Sequence, residues 1–316
     1  MTPSKTKSLV ERLIPPLTSQ WRKGQQGRVG VVGGSFEYTG APFYAGISAL
    51  KTGADLCHIF CTPEAAIPIK SYSPELIVHP LLRSDASIAA DAADEAIRSS
   101  VEKITQVFSR LDVLILGPGL GRDKAVLQTV RRLIQCARDV ELPIVVDGDA
   151  LFLTSEYPDV VQGYNKAILT PNAMEYARLC AAVKLIDKAD PTLAAKIPAQ
   201  ELSKAFGSPV VIQKGATDVL SDGDLVMSYD SSGSFRRCGG QGDVLTGAIA
   251  TFTAWSKHAD LSDEFEGNPL LLAALGGAMV TRASSSVAFQ THGRSMTAPD
   301  VLQSIGQAFA QVFPDA

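Results

Sequence analysis

Asp112-Val113-Leu114-Ile115-Leu116-Gly117-Pro118-Gly119-Leu120-Gly121 runs an almost wholly apolar stretch straight into three glycines. A strand that is apolar on both faces belongs inside a parallel sheet covered by helices. Glycines directly after it turn the chain at the strand's carboxyl end, where open α/β sheets bind ligands. A plain strand-to-helix turn would carry the same glycines. The same grammar recurs on both sides. Arg28 to Val32 is a β-branched run that turns at Gly33-Gly34-Ser35 into a helix over Thr39 to Thr52, and Asp55 to Cys61 is the next strand. Asp85 to Arg98 reads as an Ala-rich helix and Asp123 to Arg138 as an amphipathic one. Pro143 to Asp147, Ala167 to Leu169 and Pro209 to Gln213 read as further strands. Strands alternating with helices predict a three-layer α/β/α domain with a mainly parallel sheet, its glycine turns along one edge.

The remaining stretches fit round that frame. Ser73-Pro74-Glu75-Leu76 follows a proline-punctuated loop, and Pro198 suits the first turn of a helix through Phe206. Asp222-Gly223 predicts a hairpin between Val219-Leu220 and Leu225 to Ser228. Pro269 to Phe289 and Pro299 to Phe309 read as core and covering helices. Before Arg28, a mobile start and a short helix around Leu9 to Ile14, ended by Pro15-Pro16, form an extension over 1–26, leaving 27–316 as the catalytic domain.

Composition narrows the function. With 46% hydrophobic residues, 20% charged residues and a net charge of −4, no basic face for nucleic acid is evident. The five cysteines are scattered without a CxxC pair, which suggests neither a disulfide framework nor a zinc site and fits a reducing, cytoplasmic setting. The apolar run Leu270 to Val280 is too short to span a bilayer and reads as a buried helix. Lys5, Lys7 and Arg12 without a continuous apolar run argue against a secretory signal. They leave a mitochondrial presequence as the alternative, which Glu11 and Pro15-Pro16 weaken. Gly30, Gly33 and Gly34 lack the GxGxxG spacing of a dinucleotide-binding turn, so an NAD-dependent oxidoreductase loses its main support.

The chemistry concentrates at Arg236-Arg237-Cys238-Gly239-Gly240-Gln241-Gly242-Asp243-Val244-Leu245-Thr246-Gly247. From Val244 onward, apolar residues recur at helical spacing, so the glycines open a helix whose first N–H groups and dipole attract an anion such as phosphate. Asp243 would repel that ligand unless it has chemical work there. Deprotonating a hydroxyl that attacks the phosphoryl group is such work. Ordinary helix-start chemistry, with Asp as a cap, is the competing reading. Asn172 and Glu175 match a capping box, complete as a structural explanation. Facing the cleft, the pair would also let Glu175 hold Mg²⁺ through water. Asp147 and Asp149 sit at the sheet's carboxyl edge, either to hold a metal or a hydroxyl or, for Asp149, to cap a short helix over Ala150 to Leu153. Lys214 at a strand end beside Gly215 would meet a phosphate or sit on a surface hairpin.

Taken together, these motifs are similar to those of a known family. Gly239 to Gly247 resembles the GxGD anion-hole and base motif of the ribokinase-like superfamily, and Asn172-x-x-Glu175 resembles its magnesium motif. With Val32 to Ser35, Gly40-Ala41-Pro42, Gly117 to Gly121, Val146 to Leu151 and Lys214 to Asp218, the chain from Arg28 onward resembles the ATP-dependent NAD(P)H-hydrate dehydratases. That resemblance implies a ribokinase-like fold and repair of hydrated NADH or NADPH. ATP phosphorylates the 6-hydroxyl of the S epimer, and phosphate elimination follows. It implies Asp243 as base, with the N–H groups of residues 240 to 243, Gly240 and Gly242 among them, as anion hole. ATP would lie along Lys214, Gly215, Ala216, Thr217, Asp218, Gly233, Ser234, Phe235, Arg236, Arg237, Cys238, Gly239, Gly240, Gln241 and Gly242. The hydrate would meet Gly119, Asn172, Ala173, Met174, Glu175, Tyr176, Ala177, Arg178 and Asp243, and Mg²⁺ would bridge phosphates with Glu175 in its outer shell. Bacterial members of the family tend to carry His-x-Gly-Glu and use ADP, whereas Asn172-Ala173-Met174-Glu175 resembles the eukaryotic pattern, so ATP is the expected donor. No nucleic acid or membrane partner is expected. A homo-oligomer is compatible, as is work alongside an NAD(P)H-hydrate epimerase without a stable complex. A ribokinase-like kinase of a small alcohol, such as a vitamin precursor, is the nearest alternative, and a non-catalytic nucleotide-binding protein the more distant one.

Overall fold

The computed structural model describes residues 3–89, 92–261 and 264–316. Helix α1 (Pro3–Glu11) precedes strand β1 (Arg28–Val32). Then follow α2 (Gly40–Thr52), β2 (Leu56–Cys61), α3 (Pro63–Tyr72), β3 (Leu76–Pro80), α4 (Ala93–Thr105), β4 (Val113–Leu116), α5 (Lys124–Asp139), β5 (Ile144–Val146), α6 (Gly148–Glu156) and β6 (Ala167–Leu169). Helices α7 (Ala173–Ala182), α8 (Pro191–Ala194) and α9 (Ala199–Ala205) lead to β7 (Val210–Gln213), β8 (Asp218–Ser221) and β9 (Val226–Tyr229). Helices α10 (Gln241–Ser256), α11 (Pro269–His292), α12 (Ala298–Gln303) and α13 (Ile305–Val312) close the chain.

The strands form one nine-stranded sheet in the order β3-β2-β1-β4-β5-β6-β7-β8-β9. Strands β1 to β7 pair in parallel, and β8 and β9 add antiparallel. Chain order runs outward from β1 in one direction and from β4 in the other, so the topological switch lies between β1 and β4. Successive strand residues feed opposite layers, as the two-residue period of a strand requires. Val113, Ile115, Val145 and Ile168 enter one core with α2, α10 and α11, while Leu114, Leu116, Val146 and Leu169 enter another with α5, α6, α7 and α9. The segment before β1 is part of the first core: Leu9, Val10 and Leu13 are buried in it. Trp255 Nε1 donates to the Gln26 carbonyl at 2.8 Å.

Several elements differ from the sequence expectation. The proline-marked stretch before Ser73 is helix α3, with Pro63 at its first turn and Pro68 inside it, and β3 follows. The helix expected over Asp85 to Arg98 begins only at Ala93. Asp85–Ser87 is a single 3₁₀ turn, and residues 90 and 91 of that expectation lie outside the described residues, as do Met1 and Thr2 of the expected N-terminal extension. Pro198 is the N-cap of α9 rather than its first residue, and the covering helix expected from Pro299 to Phe309 is split into α12 and α13. The apolar run at Leu270 belongs to a helix long and apolar enough to cross a membrane, contrary to the length expected, but its apolar window is 78% buried in the core.

Helix α10 is not amphipathic: every residue from Val244 to Trp255 is buried. It runs between α2 and α11, and Gly247 sets the α2 contact. A β-carbon there would overlap Ser48 Oγ and the Ala45 carbonyl and come within 2.9 Å of the Ala49 nitrogen. Thr251 Oγ1 ties the same seam by donating to the Ala49 carbonyl at 2.9 Å. Gly247→Ala should therefore lower the denaturation midpoint, by about 1–3 kcal/mol for an overpacked core. Gly306→Ala is the control, since it lies on exposed helix with no heavy atom within 4 Å of a new β-carbon. It should gain about 0.5–1 kcal/mol from helix propensity. Equal midpoints for the two variants would show that the seam tolerates a side chain.

Candidate active site

Because β1 to β7 are parallel, the segments following β1, β4, β5, β6 and β7 all emerge at one edge of the sheet, and the start of α10 comes to the same edge. Gly34 N–H donates to the Pro118 carbonyl (3.0 Å) and Ser35 Oγ to the Gly119 carbonyl (3.0 Å), which joins the β1 and β4 loops across the switch point. Gly121 N–H donates to Asp149 Oδ2 at 2.9 Å, so Asp149 ties the β4 loop to α6 instead of capping that helix. The N-cap is Asp147. Helix α6 runs over Gly148–Glu156, longer at both ends than the Ala150 to Leu153 expected. Burial holds the Asp149 carboxylic acid above its ordinary range.

Helix α10 starts at Gly240, whose φ of +93° makes it a left-handed N-cap. A β-carbon there would lie 2.6 Å from Ala298 Cβ and 3.1 Å from the Tyr44 ring, so position 240 is wedged between α12 and α2. Val244 N–H donates to the Gly240 carbonyl (3.0 Å), the first bond of the helical ladder. The N–H groups of Gly240, Gln241, Gly242 and Asp243 consequently have no carbonyl partner within the helix, and they converge with the positive end of its dipole. Asp243 is the third helical residue rather than a cap.

Three acids and one base surround that helix end. Asp147, at the end of β5, is buried. Its Oδ1 accepts from Thr170 Oγ1 at 2.7 Å, and its Oδ2 lies 3.9 Å from where a Gly242 β-carbon would be. Glu175 Oε2 accepts from the Asn172 N–H (2.8 Å), while Asn172 Oδ1 caps α7 by accepting from the Met174 and Glu175 N–H groups (both 3.0 Å). The capping box is thus real, and Glu175 also lies within electrostatic reach of Asp147 and Lys214. Burial, and then the charge of Asp147, push the Glu175 carboxyl upward, while Lys214 and Arg178 pull it down. Burial pushes the Asp243 carboxyl up to about 8. Asp147 and Glu175 add to the shift, and Lys214 and the nearby Asp243 N–H oppose it. Lys214 is half-buried and belongs to this cluster rather than to an outer hairpin surface. Tyr44 also faces the cluster: burial, Tyr72 and Asp243 raise its phenol.

A carboxyl poised near neutrality beside unpaired N–H donors and an ammonium can take a proton from a hydroxyl while a transferring phosphoryl group is stabilised. Among the described residues no group of three or more His, Cys, Asp or Glu could hold a metal ion. A divalent ion here would come with nucleotide phosphates and keep its waters, the usual habit of Mg²⁺. Glu175 and Asp147 would be the carboxylates to meet those waters.

Residues 29–307 match the family described as NAD(P)H-hydrate dehydratase. The chain belongs to the NAD(P)H-hydrate dehydratase family. It is similar to the ATP-dependent (S)-NAD(P)H-hydrate dehydratase of Pongo abelii, 45% identical over 310 residues that cover 98% of this chain and 89% of that protein. The namesake from Batrachochytrium dendrobatidis is 40% identical over 98% of both chains. A ribokinase-like superfamily protein from Enterococcus faecalis shares the fold with a TM-score of 0.74 at 20% identity, covering 97% of this chain and 94% of that one. A Bacillus subtilis ADP/ATP-dependent NAD(P)H-hydrate dehydratase co-crystallised with ATP/Mg²⁺ does so with a TM-score of 0.67 at 18% identity over 97% of each chain. The fold is ribokinase-like, as the sequence motifs implied.

Within this family member, Gly119, Asn172, Glu175, Lys214, Gly240, Gln241, Gly242 and Asp243 lie along the one sheet edge, with Ala173 and Met174 exposed at the start of α7. At three of the expected contact positions the side chain is engaged inside the fold. The Tyr176 and Ala177 side chains are buried in the core, and the Tyr176 hydroxyl donates to the Ile197 carbonyl at 3.0 Å, so neither side chain faces the cleft. Asp218 is buried, with both carboxylate oxygens engaged by Arg282 and one of them also by the Gly215 N–H. Gly233, Ser234, Phe235, Arg236, Arg237, Cys238 and Gly239 form the loop into α10. Phe235 is 98% exposed, and its ring meets Phe289 edge-on. The sequence reading offered Asp147 as a holder of a metal or a hydroxyl and passed over Tyr44 and Arg282 altogether. Asp147 did signal itself, as the carboxylate ending a buried strand.

Two outcomes follow from the raised Asp243 carboxyl. Removing the charge of Asp147 should move the ascending limb of kcat/KM, centred near pH 8 for a base of that kind, to lower pH in Asp147→Asn; an unmoved limb would disconnect the two groups. The second concerns stability. The folded chain holds the Asp243 proton to about pH 8, whereas the unfolded chain releases it near pH 4. Stability is therefore fullest below about pH 4 and is lost as pH rises through the folded value. Asp243→Asn should raise Tm at neutral and alkaline pH, with the gain shrinking toward pH 4 in a thermal-melt series.

Proposed function

We propose that this chain is an ATP-dependent (S)-NAD(P)H-hydrate dehydratase. The observation that carries the reading is Asp243, poised at the open end of α10 among Asp147, Glu175 and Lys214, in a chain 45% identical to a protein of that name. The S hydrate lies against Gly119 and the exposed start of α7 with its 6-hydroxyl at Asp243, and ATP reaches the same point from the loops around Lys214 and Gly239.

Asp243 takes the hydroxyl proton as the oxygen attacks the terminal phosphorus, and the bond from that phosphorus to ADP breaks. The N–H groups of Gly240, Gln241, Gly242 and Asp243 hold the equatorial oxygens, and Lys214 offsets their charge. Mg²⁺ bound with the nucleotide would draw further charge from the phosphates, its waters held by Glu175. Hydroxide leaves poorly and phosphate leaves well. The ring-nitrogen lone pair then expels phosphate from C6, and loss of the proton on the neighbouring ring carbon restores the dihydropyridine. The proton that Asp243 accepts returns to solvent with the products.

Incubation of the S hydrate with ATP and Mg²⁺ should return the absorbance of the reduced nicotinamide with equal amounts of ADP and phosphate, and chelation should stop it. A stable phosphate ester with no recovered absorbance would make the chain a kinase. Asp243→Asn should lose about 10²–10⁴ in kcat, the usual worth of a general base, with ATP affinity little changed; wild-type turnover in that variant would remove the base from the scheme.

A further inference from the structure

Arg282 projects from α11 toward the loops that flank the opening of α10. Its Nε donates to Asp218 Oδ2 (2.7 Å), and its Nη2 donates to Asp218 Oδ1 (2.7 Å) and the Gly215 carbonyl (2.6 Å). Its Nη1 donates to the carbonyls of Ala216 (3.0 Å) and Ser231 (2.9 Å). A guanidinium has five N–H donors, and here all five are engaged. The side chain is only 15% exposed. With no donor to spare, Arg282 cannot itself grip a phosphate. Its partners come from two separate segments, the turn 214–218 and the strand exit at Ser231, and a β-carbon on Gly233 would lie 3.8 Å from its Cγ.

The direction of those carbonyls matters. In a trans peptide the C=O and the following N–H point to opposite sides. Carbonyls of Gly215, Ala216 and Ser231 turned toward the guanidinium therefore turn the N–H groups of Ala216, Thr217 and Ser232 away from it. Among the described residues none of those three N–H groups donates to another backbone group, and Ala216 and Ser232 are exposed. The guanidinium thus fixes two strips of backbone with their donors turned outward, beside the cluster at Asp243.

We propose that Arg282 is a positioning residue for the nucleotide, locking segments 214–218 and 231–233 so that the N–H groups of Ala216, Thr217 and Ser232 present a fixed set of donors to acceptor atoms of ATP. This rests on the nucleotide reading of the cleft. A lysine has a point charge in place of a planar fork and cannot span a carboxylate and three carbonyls in fixed directions.

The test uses the full chain. ATP binding is measured by calorimetric titration, and kinetics are run with ATP and then the S hydrate varied, for wild type, Arg282→Lys, Arg282→Ala and Asp218→Asn. Kd and KM for ATP should rise about 10–100-fold in both Arg282 variants, as expected for loss of a preorganised donor set, and less in Asp218→Asn, while KM for the hydrate and kcat change less than about threefold. Added guanidinium ion at low concentration should restore part of the ATP affinity of Arg282→Ala. A folded Arg282→Lys with wild-type ATP affinity would overturn the proposal, as would a loss confined to kcat or to Tm. Wild-type chain that binds no ATP would overturn the nucleotide reading and this inference with it, an outcome distinct from equal binding by wild type and variant.

Discussion

A carboxylate has to be kept at the open end of a helix that is buried along nearly its whole length, and the surrounding architecture answers to that requirement. Helix α10 packs between α2 and α11, so the direction in which its first turn points is set by the core and not by the loop that leads into it. Parallel strands bring their carboxyl ends to the same place, because each crossover helix returns the chain to the opposite edge before the next strand begins. The switch between β1 and β4 opens a crevice there, and the β5, β6 and β7 exits deliver Asp147, the α7 cap and Lys214 in turn. The antiparallel β8 and β9 then carry the chain past β7 and back toward α10.

Electrostatically the site is under tension, and that tension is useful. Asp147, Glu175 and Asp243 crowd one another with limited solvent, and one ammonium does not offset them all. A carboxyl held up by burial and by neighbouring like charges is the kind of perturbed group that functional sites contain. Folding bears the cost of this arrangement, in keeping with the general exchange of stability for activity at functional sites.

Much of this was legible in the chain itself. The apolar runs ending in glycine located the sheet edge, and Gly239 to Asp243 located the anion site, because tight backbone and unpaired N–H groups leave a mark in residue type. What was misread has physical causes. Pro63 and Pro68 read as loop punctuation, yet the first occupies an N-terminal helical position, where its missing N–H costs nothing. Tyr176 and Ala177 joined Asn172 and Glu175 because the resemblance covers the unbroken segment Asn172 to Arg178. A helix presents residues three or four apart on one face, so Glu175 and Arg178 stay partly exposed while Tyr176 and Ala177, between them, turn inward. Asp218 entered the expected nucleotide site by resemblance, as the end of Lys214 to Asp218, and no local pattern announces its ion pair with Arg282, 64 positions away.

The seam at Gly247 bears on how substitutions in this protein should be interpreted. It stands four residues beyond Asp243, close enough in the sequence that an inactive variant there would pass for evidence about chemistry. The seam lies one turn deeper along α10 than the reacting carboxylate, packed against α2, and failure at that position would begin with misassembly and loss of soluble protein. Surveys that score only metabolite recovery would merge the two kinds of defect. Abundance measured alongside turnover separates them, and a small molecule that supports folding could rescue the first kind but not the second.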